Sequence, residues 1–200
     1  LIPSGETSSF RSNPLRLAEF TLSRKDSLYV RNAKAVQSLE IAREGGDMDS
    51  VNQQLSDVYK KIQAIPGYES LDFAQVGIGS TIFAVRPGDG SAREQAASCQ
   101  RVLGAWANFA QEYATKRYRS NLINWGMIPF LVDEQPKFKK DDFVFVPNIR
   151  QSILDGSDST EAYVIGEQIQ KITLRVGSLT DDEKKILSFG CLINYYRSEL

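Results

Sequence analysis

The feature that most constrains the fold is the alternation of short apolar segments with amphipathic ones along the last two thirds of the chain. Apolar residues at helical spacing predict helices from residue 14, over 28–44 and over 49–65. Farther on, strand-like segments alternate with helical ones, and this interleaving predicts an α/β fold. The predicted strands are 73–78, 81–85, 106–109, 127–132, 143–146, 162–165 and 172–176, and the predicted helices among and after them are 91–103, 113–125 and 178–199.

The chain is predicted to form a single domain over residues 1–200. Neither an internal repeat nor a low-complexity tract nor an evident linker divides the sequence. The helical first third reads as an elaboration on the α/β body. Because the sequence begins with Leu1 and not with Met, we expect it to be the carboxy-terminal part of a longer protein.

Charge and cysteine content exclude several kinds of protein. The 24 basic and 25 acidic residues leave a net charge of −1, which does not favour nucleic acid or an anionic membrane as partner. Cys99 and Cys191 are far apart, so the chain alone predicts neither a disulfide framework nor a metal or iron–sulfur site. Unpaired thiols fit a reducing compartment, and a cytoplasmic location is expected.

The segment most indicative of chemistry is the glycine-rich turn between a predicted strand and a predicted helix, at residues 88–95. Gly88 and Gly90 allow the backbone to approach a ligand, and the start of the next helix offers free N–H groups. Arg93 adds a planar cation suited to a carboxylate, and Ser91 places a hydroxyl between these groups. Because the chain contains no histidine, acid–base chemistry would have to use a group such as this hydroxyl.

A purely structural explanation of the same turn stays open at this point. Ser91 and Glu94 have the spacing of a capping box, in which each side chain satisfies a backbone N–H group at the helix start. Strand, glycine turn and capped helix occur in many α/β proteins, and such a turn is a weak motif in isolation.

The turn also resembles a family motif. Its residues read G-x-G-S-x-R-E, which is similar to the G-x-G-S-S-R-E-H loop of the aconitase superfamily, a group that includes aconitases, homoaconitases and the small subunit of isopropylmalate isomerase. Three further segments resemble family landmarks in the same order. They are Phe10-Arg11-Ser12-Asn13-Pro14, then Ser120-Asn121-Leu122 with Gly126 and Pro129, and finally Phe189-Gly190 with the segment from Leu192 to Arg197.

The resemblance implies a fold and an activity. The fold would be the three-layer β/β/α swivelling domain of aconitase type, and the activity that of a hydro-lyase acting on a hydroxy-polycarboxylic acid. Ser91 would be the base that removes a proton next to a carboxylate, with Arg93 as its catalytic partner. Arg11, Gly90 and Ala92 would bind the substrate.

The same resemblance implies a cofactor and a partner outside this chain. A [4Fe–4S] cluster would be bound by cysteines of other domains or of a large subunit, over which this domain closes. The domain alone is therefore expected to lack activity. No membrane partner is expected.

Two departures from the family motif leave an alternative open. Ala92 stands where the family has a second serine, and Gln95 stands where it has histidine. Both are compatible with a catalytically degenerate module that binds a ligand or RNA on the same scaffold. A basic cluster with an aromatic residue, 116–119, could serve such a role, although a solvated helix face is the simpler interpretation.

Overall fold

The computed structural model describes residues 1–3, 5–132 and 138–198, and it is an α/β structure as predicted. Two short 3-10 helices occur at Ser8–Phe10 and Phe73–Gln75. The α-helices are α1 Pro14–Ala18, α2 Tyr29–Glu44, α3 Met48–Gln63, α4 Arg93–Val102, α5 Lys116–Asn124, α6 Ile149–Leu154, α7 Asp181–Ser188 and α8 Leu192–Ser198. The strands are β1 Ser80–Ala84, β2 Ala105–Ala110, β3 Ile128–Leu131, β4 Phe143–Phe145, β5 Ser159–Ile165 and β6 Ile169–Arg175.

The described strands form one six-stranded sheet with the order β1-β2-β3-β6-β5-β4. Strands β1, β2 and β3 are parallel, whereas β6, β5 and β4 pair antiparallel. The two halves meet in one residue pair, Leu131 with Arg175. Since ligands of parallel α/β sheets bind beyond the carboxyl ends of the strands, the loop that follows β1 is the first place to look for a site.

Helix α3 and the second half of α2 pack against the antiparallel half of the sheet, whereas α1 and the first half of α2 pack on β1 and α4. Apolar side chains of α2 and α3 form one buried cluster with Phe73, with Phe145 of β4 and with Ile165 of β5. The predicted helices over 28–44 and 49–65 are thus confirmed. A fully buried Val, Leu or Ile side chain contributes about 1.5–3 kcal/mol, so this cluster fastens α2 and α3 to the sheet.

Two predicted elements are wrong. The segment 73–78 begins as a 3-10 helix and not as a strand, because the carboxylate of Asp72 accepts a hydrogen bond from the Ala74 N–H at 3.0 Å and starts a turn. The segment 178–199 is not one closing helix: α7 ends before Gly190, which adopts a left-handed φ of +86°, and α8 follows. Residue 199 lies outside the described residues.

Helices α4 and α5 pack on the parallel half of the sheet around Tyr118. This side chain is fully buried, and its hydroxyl accepts hydrogen bonds from Gln100 Nε2 at 2.9 Å and from Asn108 Nδ2 at 2.8 Å. Burial raises the pKa of the Tyr118 hydroxyl to about 12, so it is neutral at physiological pH. One polar group thereby joins α4, β2 and α5. None of the described helices is long and apolar enough to cross a membrane.

We predict that Tyr118→Phe lowers the free energy of unfolding by about 1–3 kcal/mol, because one N–H of the Gln100 amide and one of the Asn108 amide lose their acceptor in the core. Urea denaturation followed by circular dichroism measures the change. Tyr196→Phe is the matched control, since Tyr196 is 59% exposed and its substitution should cost less than about 0.5 kcal/mol. Equal effects of the two substitutions would contradict the bonding role of the Tyr118 hydroxyl.

Candidate functional site

The loop that follows β1 is fixed at its base by the segment that precedes α5. The Glu112 N–H donates to the Val85 carbonyl at 3.1 Å, and the Ala114 N–H donates to the Pro87 carbonyl at 2.9 Å. These backbone bonds continue the pairing of β1 with β2 beyond the ends of both strands. The loop therefore leaves the sheet from a defined starting point.

Gly88 is the next anchored residue of this loop. Its carbonyl oxygen accepts two side-chain hydrogen bonds, one from Arg93 Nε at 3.1 Å and one from Thr115 Oγ1 at 3.1 Å. Arg93 also donates through a terminal nitrogen to the Asp89 carbonyl, at 3.5 Å. The first residue of α4 and the N-cap residue of α5 thus hold the same peptide group.

The two glycines of the loop have different structural roles. Gly88 has a left-handed φ of +95°, and a Cβ atom placed there would lie 2.5 Å from the Tyr118 ring. Gly90 has no such φ, and no atom lies within 4 Å of the position that its Cβ would take. Only Gly88 is required by the packing of this chain, and Gly90 leaves an open face beside Ser91.

We predict that Gly88→Ala destabilises the domain by more than the about 1–3 kcal/mol that backbone strain alone costs. The added methyl group would also overlap the Tyr118 side chain. Gly90→Ala is the matched control and should change the free energy of unfolding by less than about 1 kcal/mol. Thermal and urea unfolding of both variants tests the contrast. A mild effect of Gly88→Ala would show that the described conformation of the loop is wrong.

The capping box suggested by the sequence is not formed. The N-cap residue of α4 is Ala92, and no side chain caps this helix end. The Glu94 carboxylate instead accepts a hydrogen bond from the indole N–H of Trp125 at 3.0 Å. Ser91 is exposed and does not cap the helix. The first N–H groups of α4 have no side-chain acceptor and can therefore bind an anion.

Ser91 lines a cavity of about 270 Å³ between the start of α4 and the amino-terminal segment of the chain. The resemblance assigned roles to residues far apart in sequence, and Arg11, Ser91 and Ala92 lie together here. The lining residues are Ile2, Thr7, Arg11, Leu17, Ser91, Ala92 and Gln95.

The amino-terminal wall of the cavity is built by short-range bonds. The buried Thr7 hydroxyl donates to the Pro3 carbonyl at 3.0 Å, just before the 3-10 helix Ser8–Phe10. Asn13 then caps α1 by accepting from the Arg16 N–H at 3.0 Å, with Pro14 as the first helical residue, as the sequence predicts. Arg11 lies between these two turns with an exposed side chain, and no described residue forms an ion pair with it.

Arg93 and Gly90 are not among the residues that line this cavity. The guanidinium of Arg93 is directed to the carbonyl groups of Gly88 and Asp89, so its observed contacts fix the loop. A fixed cation next to the Ser91 loop still favours negative charge there by its field. Its role as the partner of Ser91 stays a prediction.

Sequence reasoning missed Thr7, Leu17 and Thr115. Thr115 had a recognisable signal, because a threonine before a predicted helix is a typical N-cap, and its hydroxyl does accept from the Tyr118 N–H at 3.2 Å. Leu17 and Thr7 line the cavity because the amino-terminal segment lies next to the start of α4. No local sequence pattern reveals that arrangement.

The basic cluster of α5 does not form a platform for nucleic-acid bases. Lys116 and Arg117 are exposed, but Tyr118, the next residue, is buried. Arg119 contacts Glu183 at 3.4 Å and donates to the Ser178 carbonyl at 3.1 Å, so it joins α5 to α7. The solvated helix face is the interpretation that these contacts favour.

The residues of this chain do not fit an iron–sulfur cluster. Cys99 is 1% exposed, and burial raises the pKa of its thiol to about 12, which opposes the thiolate form that binds iron. Cys191 is half-buried, and it follows Gly190 on a different part of the chain. Among the described residues, no group of three histidine, cysteine or acidic side chains could hold a metal ion.

A solved 3-isopropylmalate dehydratase is a structural neighbour of this chain. The protein is from Methanocaldococcus jannaschii, the TM-score is 0.41, and 23% of the aligned residues are identical. The likeness covers 60% of this chain and 65% of that one, so the chain spans just under two thirds of the length of that dehydratase. No family model and no curated protein matches the sequence.

Proposed function

We propose that this chain is the swivelling domain of an aconitase-type hydro-lyase that acts on a hydroxy-polycarboxylic acid. The observation that supports this most strongly is that Arg11 and Ser91 line the same cavity. The resemblance assigned both residues to one site, although the helical first third separates them in sequence. A hydroxyl, a guanidinium and an uncapped helix start are the groups that bind and deprotonate a carboxylate-bearing molecule.

Substrate binding in this proposal uses charge and backbone donors. The Arg11 guanidinium pairs with one carboxylate of the substrate. The N–H groups at the start of α4, at Ala92 and beyond, bind the same or a neighbouring carboxylate, and the open face of Gly90 lets that group approach the backbone. Gln95 contributes a neutral amide to the cavity, where a histidine would have added a titratable group.

Ser91 is the base in the proposed reaction. Its Oγ atom, as the alkoxide, takes the proton from the carbon next to a substrate carboxylate, and the hydroxyl group on the neighbouring carbon leaves as a C=C bond forms. A serine hydroxyl is a poor base in water, so its alkoxide needs stabilisation by the α4 dipole and by the fixed cation of Arg93. Closure over the site would exclude water and strengthen both effects.

The remaining part of the active site belongs to another domain or subunit in this proposal. The resemblance implies a [4Fe–4S] cluster there, and the two cysteines of this chain do not suit it. This chain is therefore expected to bind carboxylates by itself but to turn over substrate only together with its cluster-bearing partner. A cytoplasmic location stays a prediction.

We predict that Ser91→Ala lowers turnover in the complete protein by about 10²–10⁴-fold, because it removes the base. Folding should stay intact, because Ser91 is exposed. The rate of hydration and dehydration is measured with a panel of hydroxy-polycarboxylates. Ser98→Ala, a change on the same helix outside the cavity, is the control and should keep normal turnover. Near-normal turnover of Ser91→Ala would rule out the assigned base.

We predict that Arg11→Ala weakens binding of malate to this chain by about tenfold or more, since a charge-assisted hydrogen bond contributes about 1.5–3 kcal/mol. Arg117→Ala is the matched control, because Arg117 is an exposed arginine that does not line the cavity. NMR titration with malate compares the two. Equal weakening would indicate general attraction by positive charge and not a site at Arg11.

The degenerate binding module remains the second candidate, and the two departures from the family motif, Ala92 and Gln95, are the residues that favour it. As the N-cap residue of α4, Ala92 supplies no hydroxyl, where a serine would offer one. In that case malate binding would depend on Arg11, whereas the complete protein would show no turnover that depends on Ser91. The two measurements above therefore separate the candidates.

A further inference from the structure

Thr115 uses its hydroxyl group twice. As acceptor it caps α5 by binding the Tyr118 N–H at 3.2 Å, and as donor it binds the Gly88 carbonyl at 3.1 Å. The first contact belongs to its own helix, whereas the second reaches the loop that carries Ser91. Through these two contacts Thr115 links the start of α5 to the loop that carries Ser91.

The chain between Gly88 and Ser91 has few other restraints among the described residues. Asp89, Gly90 and Ser91 are all exposed, and Gly90 packs against nothing within 4 Å of its Cβ position. The remaining contact is the long bond from Arg93 to the Asp89 carbonyl, at 3.5 Å. Ser91 is held on one side by Ala92, the N-cap residue of α4, and on the other side the direction in which the chain leaves Gly88 helps to set where its hydroxyl lies.

We infer that Thr115 is a positioning residue for Ser91, an inference that rests on the proposed function. Its hydroxyl fixes the plane of the Gly88–Asp89 peptide and so directs Ser91 towards the cavity that Arg11 lines. Arg93 shares the Gly88 carbonyl but lies on α4, the helix into which the loop leads, so its contact is local in sequence. Thr115 is the donor that ties the loop to a separate helix.

Three substitutions of Thr115 separate loop positioning from helix capping. Thr115→Ser keeps both the acceptor and the donor. Thr115→Asp keeps a strong N-cap acceptor but has no hydrogen to donate to the Gly88 carbonyl when ionised. Thr115→Val removes both functions and reports the cost of losing them together.

The complete protein with its cluster-bearing part is assayed for kcat and KM, and the backbone amide exchange of residues 89–92 is measured in the same samples. We expect Thr115→Asp to lower kcat by about tenfold or more and to speed exchange in the loop by about fivefold or more. Its midpoint of urea unfolding should stay close to the wild-type value. Thr115→Ser should restore kcat and slow exchange to wild-type values, which a capping role alone does not explain.

The outcomes distinguish this inference from the function on which it rests. If Ser91→Ala abolishes turnover but Thr115→Asp keeps kcat and loop exchange within twofold of wild type, the positioning role is overturned and the proposed function stands. If Ser91→Ala keeps turnover, the proposed function fails, and the positioning role in catalysis fails with it.

Discussion

The carbonyl oxygen of Gly88 is the acceptor on which the arrangement of the candidate site depends. It receives one hydrogen bond from the start of α4 and another from the N-cap of α5, so two helices that pack on the parallel strands are joined at one peptide group. A neutral hydrogen bond contributes about 0.5–1.5 kcal/mol and one from a charged donor about 1.5–3 kcal/mol. That is enough to select one loop conformation without making the loop a rigid part of the core.

The core beneath this carbonyl explains why the glycine is needed. Tyr118 fills the space under the loop, and its ring leaves no room for a Cβ atom at residue 88. The same tyrosine binds Gln100 and Asn108 through its hydroxyl, so packing and hydrogen bonding meet at one side chain. Stability of the domain and geometry of the loop thus have a common origin, whereas Gly90 and Ser91 remain free for a ligand.

The elements that the sequence predicts well are those with their own periodic signal. Helix α3 has a clear apolar face, and the strands of the β5–β6 hairpin alternate between apolar and polar residues, so their positions follow from local pattern. Local pattern failed where a single residue redirected the backbone. Asp72 turns the residues after it into a 3-10 helix, and Gly190 divides the last helical segment into two. Capping was also misread, since Ala92 and not Ser91 is the N-cap residue of α4.

The candidate site could be predicted only in part, for a related reason. The loop at residues 88–95 has a recognisable composition, but its neighbour Arg11 lies about eighty residues away in sequence and was tied to it only by the resemblance to the aconitase superfamily. The contribution of Thr115 depends on the distance between two helix starts, which no sequence spacing encodes. Long-range contacts of this kind need coordinates.

The most direct test of this account is a crystal structure of the chain with bound malate. The account predicts one malate carboxylate within hydrogen-bond distance of the Arg11 guanidinium, and the Ser91 hydroxyl facing the same molecule across the cavity. Malate bound elsewhere, or a Ser91 hydroxyl turned into the packing of α4, would contradict it.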